Sequence, residues 1–172
     1  MLPGLLIKKC RITNLRMPHK ISLSLDEPDE AQATVYGIIS DLPDYRLVFM
    51  INEGLGLRLK RKSEDRKRYH KAGVVTFAEF EYHEKLRIID WHLTANSGGM
   101  VLPEEEDTPV RSALPLVESL RSINYFLWYP DGVNAELDRH IFEILKPNPY
   151  IRVLQRVDVS ATRHIDNLIS EY

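Results

Sequence analysis

The sequence predicts an α+β fold, a mostly antiparallel sheet packed by a buried central helix and two C-terminal helices. Three observations carry that prediction. Residues 42–55 form the most apolar stretch with clear ends, Val74–Tyr82 and Leu86–Ala95 alternate as paired strands do, and everything after Ile123 reads strand, helix, strand, helix. A chain of 172 residues fits one domain spanning 1–172 and can bury a full core without metal or disulfide staples.

Taken in order, residues 5–14 and 20–26 read as two strands of a hairpin, the second with Ile21, Leu23 and Leu25 alternating against polar neighbours. Their modest apolarity makes this hairpin the expected sheet edge and a surface for a homodimer or a partner. Thr34–Ser40 is ambiguous between a short β entry and an extra turn ahead of the helix, and reads on balance as helix-like or irregular. The central helix has Asp41 as its expected cap, Pro43 in its first turn and Gly54 and Gly56 at its exit. Its apolar residues, Leu42, Tyr45, Leu47, Val48, Phe49, Met50, Ile51 and Leu55, spread around most of the wheel, which predicts cover on several sides.

Leu55, Leu57 and Leu59 then suggest a short strand that passes into a basic, solvated loop or frayed strand end. The next two strands are expected to pair Phe80 with Ile89, Ala78 with Trp91 and Thr76 with Leu93, around a four-residue loop from His83 to Leu86. Residues 97–112, rich in Gly, Pro and acid, read as a mobile surface loop. Ile123–Tyr129 is apolar enough to be central and covered on both faces. Helix 134–145 is capped by Asn134 and carries Leu137, Ile141, Ile144 and Leu145 on one face; strand 150–159 comes next, and Ser160 caps a last helix through Ile165, Leu168 and Ile169. A helix joining the two strands predicts a parallel crossover if they share a sheet.

With these segments in view, Tyr36–Arg61, the aromatic hairpin ending near Asn96, Ile123–Trp128 and the closing strand and helix together resemble the small bacterial family named for its IPExxxVDY motif. The resemblance covers roughly residues 34–170 and is best over Asp44–Leu47 and Asn52. Aligned on Ile123-Asn124-Tyr125, the family's Ile-Pro-Glu falls on Val117-Glu118-Ser119 and its Asp on Asn124, so the chain departs from the name-giving motif. The resemblance implies a compact bacterial cytoplasmic domain with no assigned activity and no catalytic residues to transfer.

The chemistry legible in the residues is sparse. A net charge of −2 predicts no general attraction to nucleic acid or anionic membrane. Cys10 is the one cysteine, flanked by Lys9 and Arg11, and reads as a buried, inert thiol; it can form no internal disulfide, so a cytoplasmic location is expected. The N-terminal run lacks the order of a secretory signal, and no apolar run is long enough to span a membrane. No nucleotide-binding glycine loop, nucleophile elbow or metal-ligand spacing is present, so no cofactor and no metal are expected.

Two constellations remain. The first is the basic run Arg58, Lys60, Arg61, Lys62, Arg66, Lys67, Arg68 and Lys71, with Tyr69 among them, which could track a phosphate backbone and stack a base, or could simply be a charge-rich loop guarding a sheet edge. The second is Asp90 and His92, two apart on one strand face, either converging on a ligand or forming the polar face a half-buried hairpin requires. The residues point to a non-enzymatic cytoplasmic protein that binds another macromolecule, a protein first. RNA binding through residues 58–71, or an enzyme with a polar site near Asp90 and His92, are the alternatives.

Overall fold

The computed structural model describes residues 33–70, 73–101, 110–130, 132 and 134–170. Strand β1 (Thr34–Ser40) and helix α1 (Asp44–Leu55) come first, then β2 (Lys60–Arg61), β3 (Arg66–His70), β4 (Gly73–Phe77), β5 (Glu79–Glu84), β6 (Ile89–Ala95), β7 (Ser97–Val101) and β8 (Val110–Pro115). A 3-10 turn at Glu118–Leu120 leads to β9 (Tyr125–Tyr129), α2 (Ala135–Leu145), β10 (Ile151–Val157) and the short helix α3 (Asp166–Ile169). The fold is α+β, as the sequence predicts, but it holds two antiparallel sheets: a main one ordered β10-β1-β9-β6-β5-β2 and a second ordered β3-β4-β7-β8.

The apolar run of β9 makes it a central strand, hydrogen-bonded to β1 on one side and β6 on the other. Its alternate side chains enter two cores. Leu127 and Tyr129 join Tyr36, Ile38, Leu47, Ile51 and Trp91 under α1 and α2, while Phe126 and Trp128 join Val35, Val75, Phe77, Leu116 and Leu168 beneath the second sheet and α3. Thr34–Ser40, expected to be helix-like or irregular, is instead the strand between β9 and β10. It carries no alternation because Val35 and Tyr36, one on each face, are both fully buried. Both its neighbours run antiparallel to it, so β9 and β10 are parallel to each other and α2 crosses between them over one intervening strand.

Helix α1 is covered on one side only. Leu47, Val48 and Ile51 are buried, whereas Tyr45 and Phe49 stand in solvent, because α2 and the sheet approach from a single direction. Pro43 occupies the N-cap without a side-chain hydrogen bond, and the expected cap, Asp41, instead pairs with Arg152 of β10. At the far end Gly56, at φ 68°, donates its N–H to the Asn52 carbonyl in a left-handed C-cap. Helix α2 is capped as expected, the Asn134 side chain accepting from the Glu136 and Leu137 amides.

The two C-terminal helices do not share a face of the sheet. Leu137, Ile141 and Leu145 of α2 lie in the core with α1, and Leu168 of α3 lies in the other. Ser160 does not cap α3; its hydroxyl donates to Asp158, and this bond, with the Ala161 amide, holds the Asp158 carboxyl below its usual range.

The long hairpin also departs from its expected register. Phe80 lies opposite Leu93, Tyr82 opposite Trp91 and Glu84 opposite Ile89, and the four-residue loop is 85–88. What reads as one continuous strand from Val74 to Tyr82 passes from the second sheet to the main one at Ala78. The returning strand makes the same passage at Asn96. Between the pairs Thr76–Gly99 and Glu79–Thr94, two residues on the first strand face four on the second, a bulge that bends both strands from sheet to sheet.

Residues 97–101 and 110–112, expected within a mobile loop, belong to β7 and β8, which pair with each other; residues 102–109 lie outside the described residues. Gly98 explains why β7 can lie where it does, since a Cβ there would come within 2.6 Å of Phe77 and Val75 side-chain atoms and 2.7 Å of the Thr76 carbonyl. The N-terminal hairpin and Cys10 also fall outside the described residues. Among those described, no helix is long and apolar enough to cross a membrane.

Candidate binding surfaces

The basic run is only in part a loop, since Arg58 and residues 62–65 lie outside strands while residues 60–61 and 66–70 do not. It is divided between the sheets: Lys60 and Arg61 form β2 at the edge of the main sheet, and residues 66–70 form β3 at the edge of the second. Most of its cations are engaged within the molecule. Arg61 pairs with Asp65 at 2.8 Å and with Asp44 of α1 at 3.2 Å, and its guanidinium lies 5.5 Å from the centre of the Phe80 ring. Lys62 stands 3.4 Å from Glu81 and 3.8 Å from Glu79.

Arg66 is buried, 3.0 Å from the equally buried Glu79. Arg68 donates to the Pro115 and Leu116 carbonyls, and Lys67 pairs at the surface with Glu64. Tyr69 is exposed on β3, apart from the cations of β2. Lys71 lies outside the described residues. Arg58, Lys60 and Arg68 make no ion pair among the described residues, and of these only Arg68 is engaged through backbone carbonyls.

Asp90 and His92 share one face of β6 as period-2 geometry requires, yet they do not form a pair. Asp90 faces the neighbouring strand, with one carboxylate oxygen 2.6 Å from Nδ1 of His83, and both groups are exposed. His92 points along a row of directly opposed residues, Lys60, Glu81, His92 and Trp128, that runs from the sheet edge to its centre. Its ring stacks on Trp128 at 4.2 Å with planes 14° apart, and its Nδ1 is 3.8 Å from Glu79, beyond hydrogen-bond reach.

The open end of this face is a cleft of about 780 Å³ whose lining includes Arg58, Lys60, Lys62, Glu81, Asp90 and His92. Two constellations read separately in the sequence, residues 58–62 and Asp90 with His92, are thus brought to one surface by the pairing of β2, β5 and β6. The remainder of the basic run is not. His83 and Glu79, the groups that orient or surround these residues, carry no signal in the sequence, because their partners are set by strand register. No group of three or more His, Cys, Asp or Glu able to hold a metal ion exists among the described residues.

Burial lowers the pKa of His92 from the usual 6.5; Glu79 opposes this shift and Lys62 adds to it. The unfolded chain therefore takes up this proton first as the pH falls. The contribution of neutral His92 to stability is complete above about 6.5 and is lost as the pH falls toward the folded value. In urea titrations between about pH 5 and 7.5, His92→Phe, which keeps an aromatic ring on Trp128, is expected to flatten the acid side of the stability profile. An unchanged slope in this variant would assign the pH dependence to other groups.

The second exposed feature lies on the outer side of α1. Tyr45 and Phe49, one turn apart, are 62% and 67% exposed, and the Arg46 guanidinium lies 6.0 Å from the centre of the Tyr45 ring. Asn52 braces the same helix against the chain leading into β2, donating to the Leu59 carbonyl and accepting from the Leu59 amide. No family model matches this sequence, no curated protein is similar to it, and no solved structure matches it.

Proposed function

We propose that this protein is a non-enzymatic cytoplasmic binding protein whose partner is another protein. The observation that carries the reading is the exposure of Tyr45 and Phe49 together on α1. Large aromatic side chains left side by side in water are a feature of interaction surfaces, where they supply most of the binding energy. Arg46 beside them favours a partner whose apolar side chains are flanked by a carboxylate. The division of the basic run between two sheets, with Arg61, Lys62, Arg66 and Arg68 engaged internally, weighs against a continuous RNA track. Asp90 engaged by His83, apart from His92, weighs against the two acting as a catalytic pair. The single cysteine supports the cytoplasmic location, and kinship with the IPExxxVDY family, through Tyr36–Arg61 and Ile123–Trp128, belongs to the same reading.

The test is recovery of the tagged protein from its own lysate with and without nuclease. The expected result is a protein partner retained under both conditions and lost in a Tyr45→Ser/Phe49→Ser variant. Each truncation is expected to cost about 2 kcal/mol of binding, roughly 30-fold in Kd, while the fold changes by only about 0.5 kcal/mol. A partner released by nuclease, or one indifferent to both substitutions, would overturn the reading.

A further inference from the structure

We propose that the open polar end of the main sheet binds a small phosphorylated polyol, with Arg58 and Lys60 holding its phosphate and Glu81 and Asp90 accepting from its hydroxyls. The inference is independent of the protein partner, because it rests on a different surface. The cleft, about 780 Å³, is of the size that takes a small molecule, roughly 300–1,000 Å³.

Its charge selects the ligand. Arg61 and Lys62 are matched by Asp44, Asp65, Glu79 and Glu81, which leaves Arg58 and Lys60 as two cations without an ion pair among the described residues. A phosphomonoester carries about −1.5 to −2 near neutral pH and matches that pair. Arginine offers a planar fork and lysine a point charge, the two complementary ways of holding a phosphate.

The geometry selects the part of the ligand beyond the phosphate. Lys60, Glu81 and His92 are directly opposed on three successive strands. The row from Lys60 to His92 is therefore about 10 Å long, two strand spacings, which suits a chain or ring of a few hydroxylated carbons. Along it the ligand meets acceptors: the exposed carboxylate of Glu81 and the Asp90 oxygen that does not face His83. These carboxylates also exclude a polynucleotide, whose next phosphate would fall among them.

The test is an amide-shift titration of the full chain at low salt with glucose 6-phosphate, inorganic phosphate and glucose. Glucose 6-phosphate is expected to saturate, with shifts at the amides of Lys60, Lys62, Glu81 and His92. Inorganic phosphate is expected to move the same amides more weakly, and glucose to move none. Arg58→Gln and Lys60→Glu are each expected to weaken glucose 6-phosphate about tenfold. Glu81→Gln is expected to erase its advantage over phosphate while leaving phosphate binding in place. Should charge reversal on the β2 edge prevent folding, Arg58→Gln, ahead of the strand, carries the test with the wild-type shift map. Shifts scattered over the surface, equal responses to sulfate and chloride, or saturation by an RNA oligonucleotide alone would each overturn the proposal.

Discussion

Arg66→Ala is expected to cost the fold about 3–5 kcal/mol, read from the urea midpoint at pH 7. Arg66 and Glu79 are 6% and 1% exposed and 3.0 Å apart, so neither charge is solvated by water. The same guanidinium donates to the Asn167 carbonyl at 3.0 Å and the Ser170 carbonyl at 3.2 Å, tying β3 to β5 and to α3 in one step. Removing it leaves a buried carboxylate with Lys62 at 3.8 Å as its nearest cation, together with carbonyls that have lost a donor. The cost is that of stranding Glu79, more than the intrinsic worth of the pair.

A double replacement, Arg66→Met with Glu79→Leu, is accordingly expected to recover much of the loss, because desolvating the two charges offsets most of their attraction. The Arg66 charge also helps to lower the pKa of His92, so an imidazole titration of Arg66→Ala is expected to move upward. A single variant within about 1 kcal/mol of wild type would mean that Lys62 or His92 replaces the guanidinium as the counterion.

This pair marks the limit of what the sequence makes legible. The apolar run of β9, the cap of α2 and the alternation of β6 arise from local chemistry, and each lies where the pattern puts it, whereas Ile144 of the α2 stripe is 38% exposed. Arg66 reads as one more cation in a charged stretch, because burial of an arginine depends on which carboxylate lies opposite in three dimensions. The same reason explains Thr34–Ser40: a strand buried on both faces loses the period-2 signal that would identify it.

At Ala78 the failure has a different cause. Val74, Thr76, Ala78, Phe80 and Tyr82 keep a valid alternation, but Val75 and Phe77 are the apolar residues buried before the passage and Phe80 the apolar residue buried after it. The strand exchanges one sheet for another, and the face that meets the core changes with it. Of the candidate site, the residue types were legible and their assembly was not, since the contribution of Arg58 and Lys60 to one cleft with Asp90 and His92 depends on the β2, β5 and β6 register.

Asn96→Ala is expected to cost about 3 kcal/mol or more, an effect out of proportion to the atoms removed. Asn96 occupies the passage between the sheets, 2% exposed, just after β6 ends and before β7 begins. Its side-chain amide donates to the Leu120 and Ile123 carbonyls, both at 2.9 Å, and its side-chain oxygen accepts from the Val117 amide at 2.9 Å. Its backbone bonds the same segment twice more, through the Asn124 carbonyl and the Leu116 amide, both at 2.8 Å. The bulge that bends the hairpin is thus held by the residues leading from β8 into β9.

Truncation to alanine strands the Val117 amide and the Ile123 carbonyl where water has little access, each worth about 1–3 kcal/mol when unpaired, and takes one of two donors from the Leu120 carbonyl, which keeps the Ile123 amide. Asn96→Asp separates this account from a simple loss of volume. The carboxylate can still accept from Val117 but places an oxygen against two carbonyls, so at pH 7 it is expected to be no better than alanine. Protonation restores one donor, and the deficit of the Asp variant relative to wild type is expected to narrow as the pH is lowered. Urea midpoints of the three proteins at pH 7 and pH 4.5 supply the check. An aspartate variant as stable as wild type at pH 7 would show that the donor side of Asn96 contributes nothing to holding the bend.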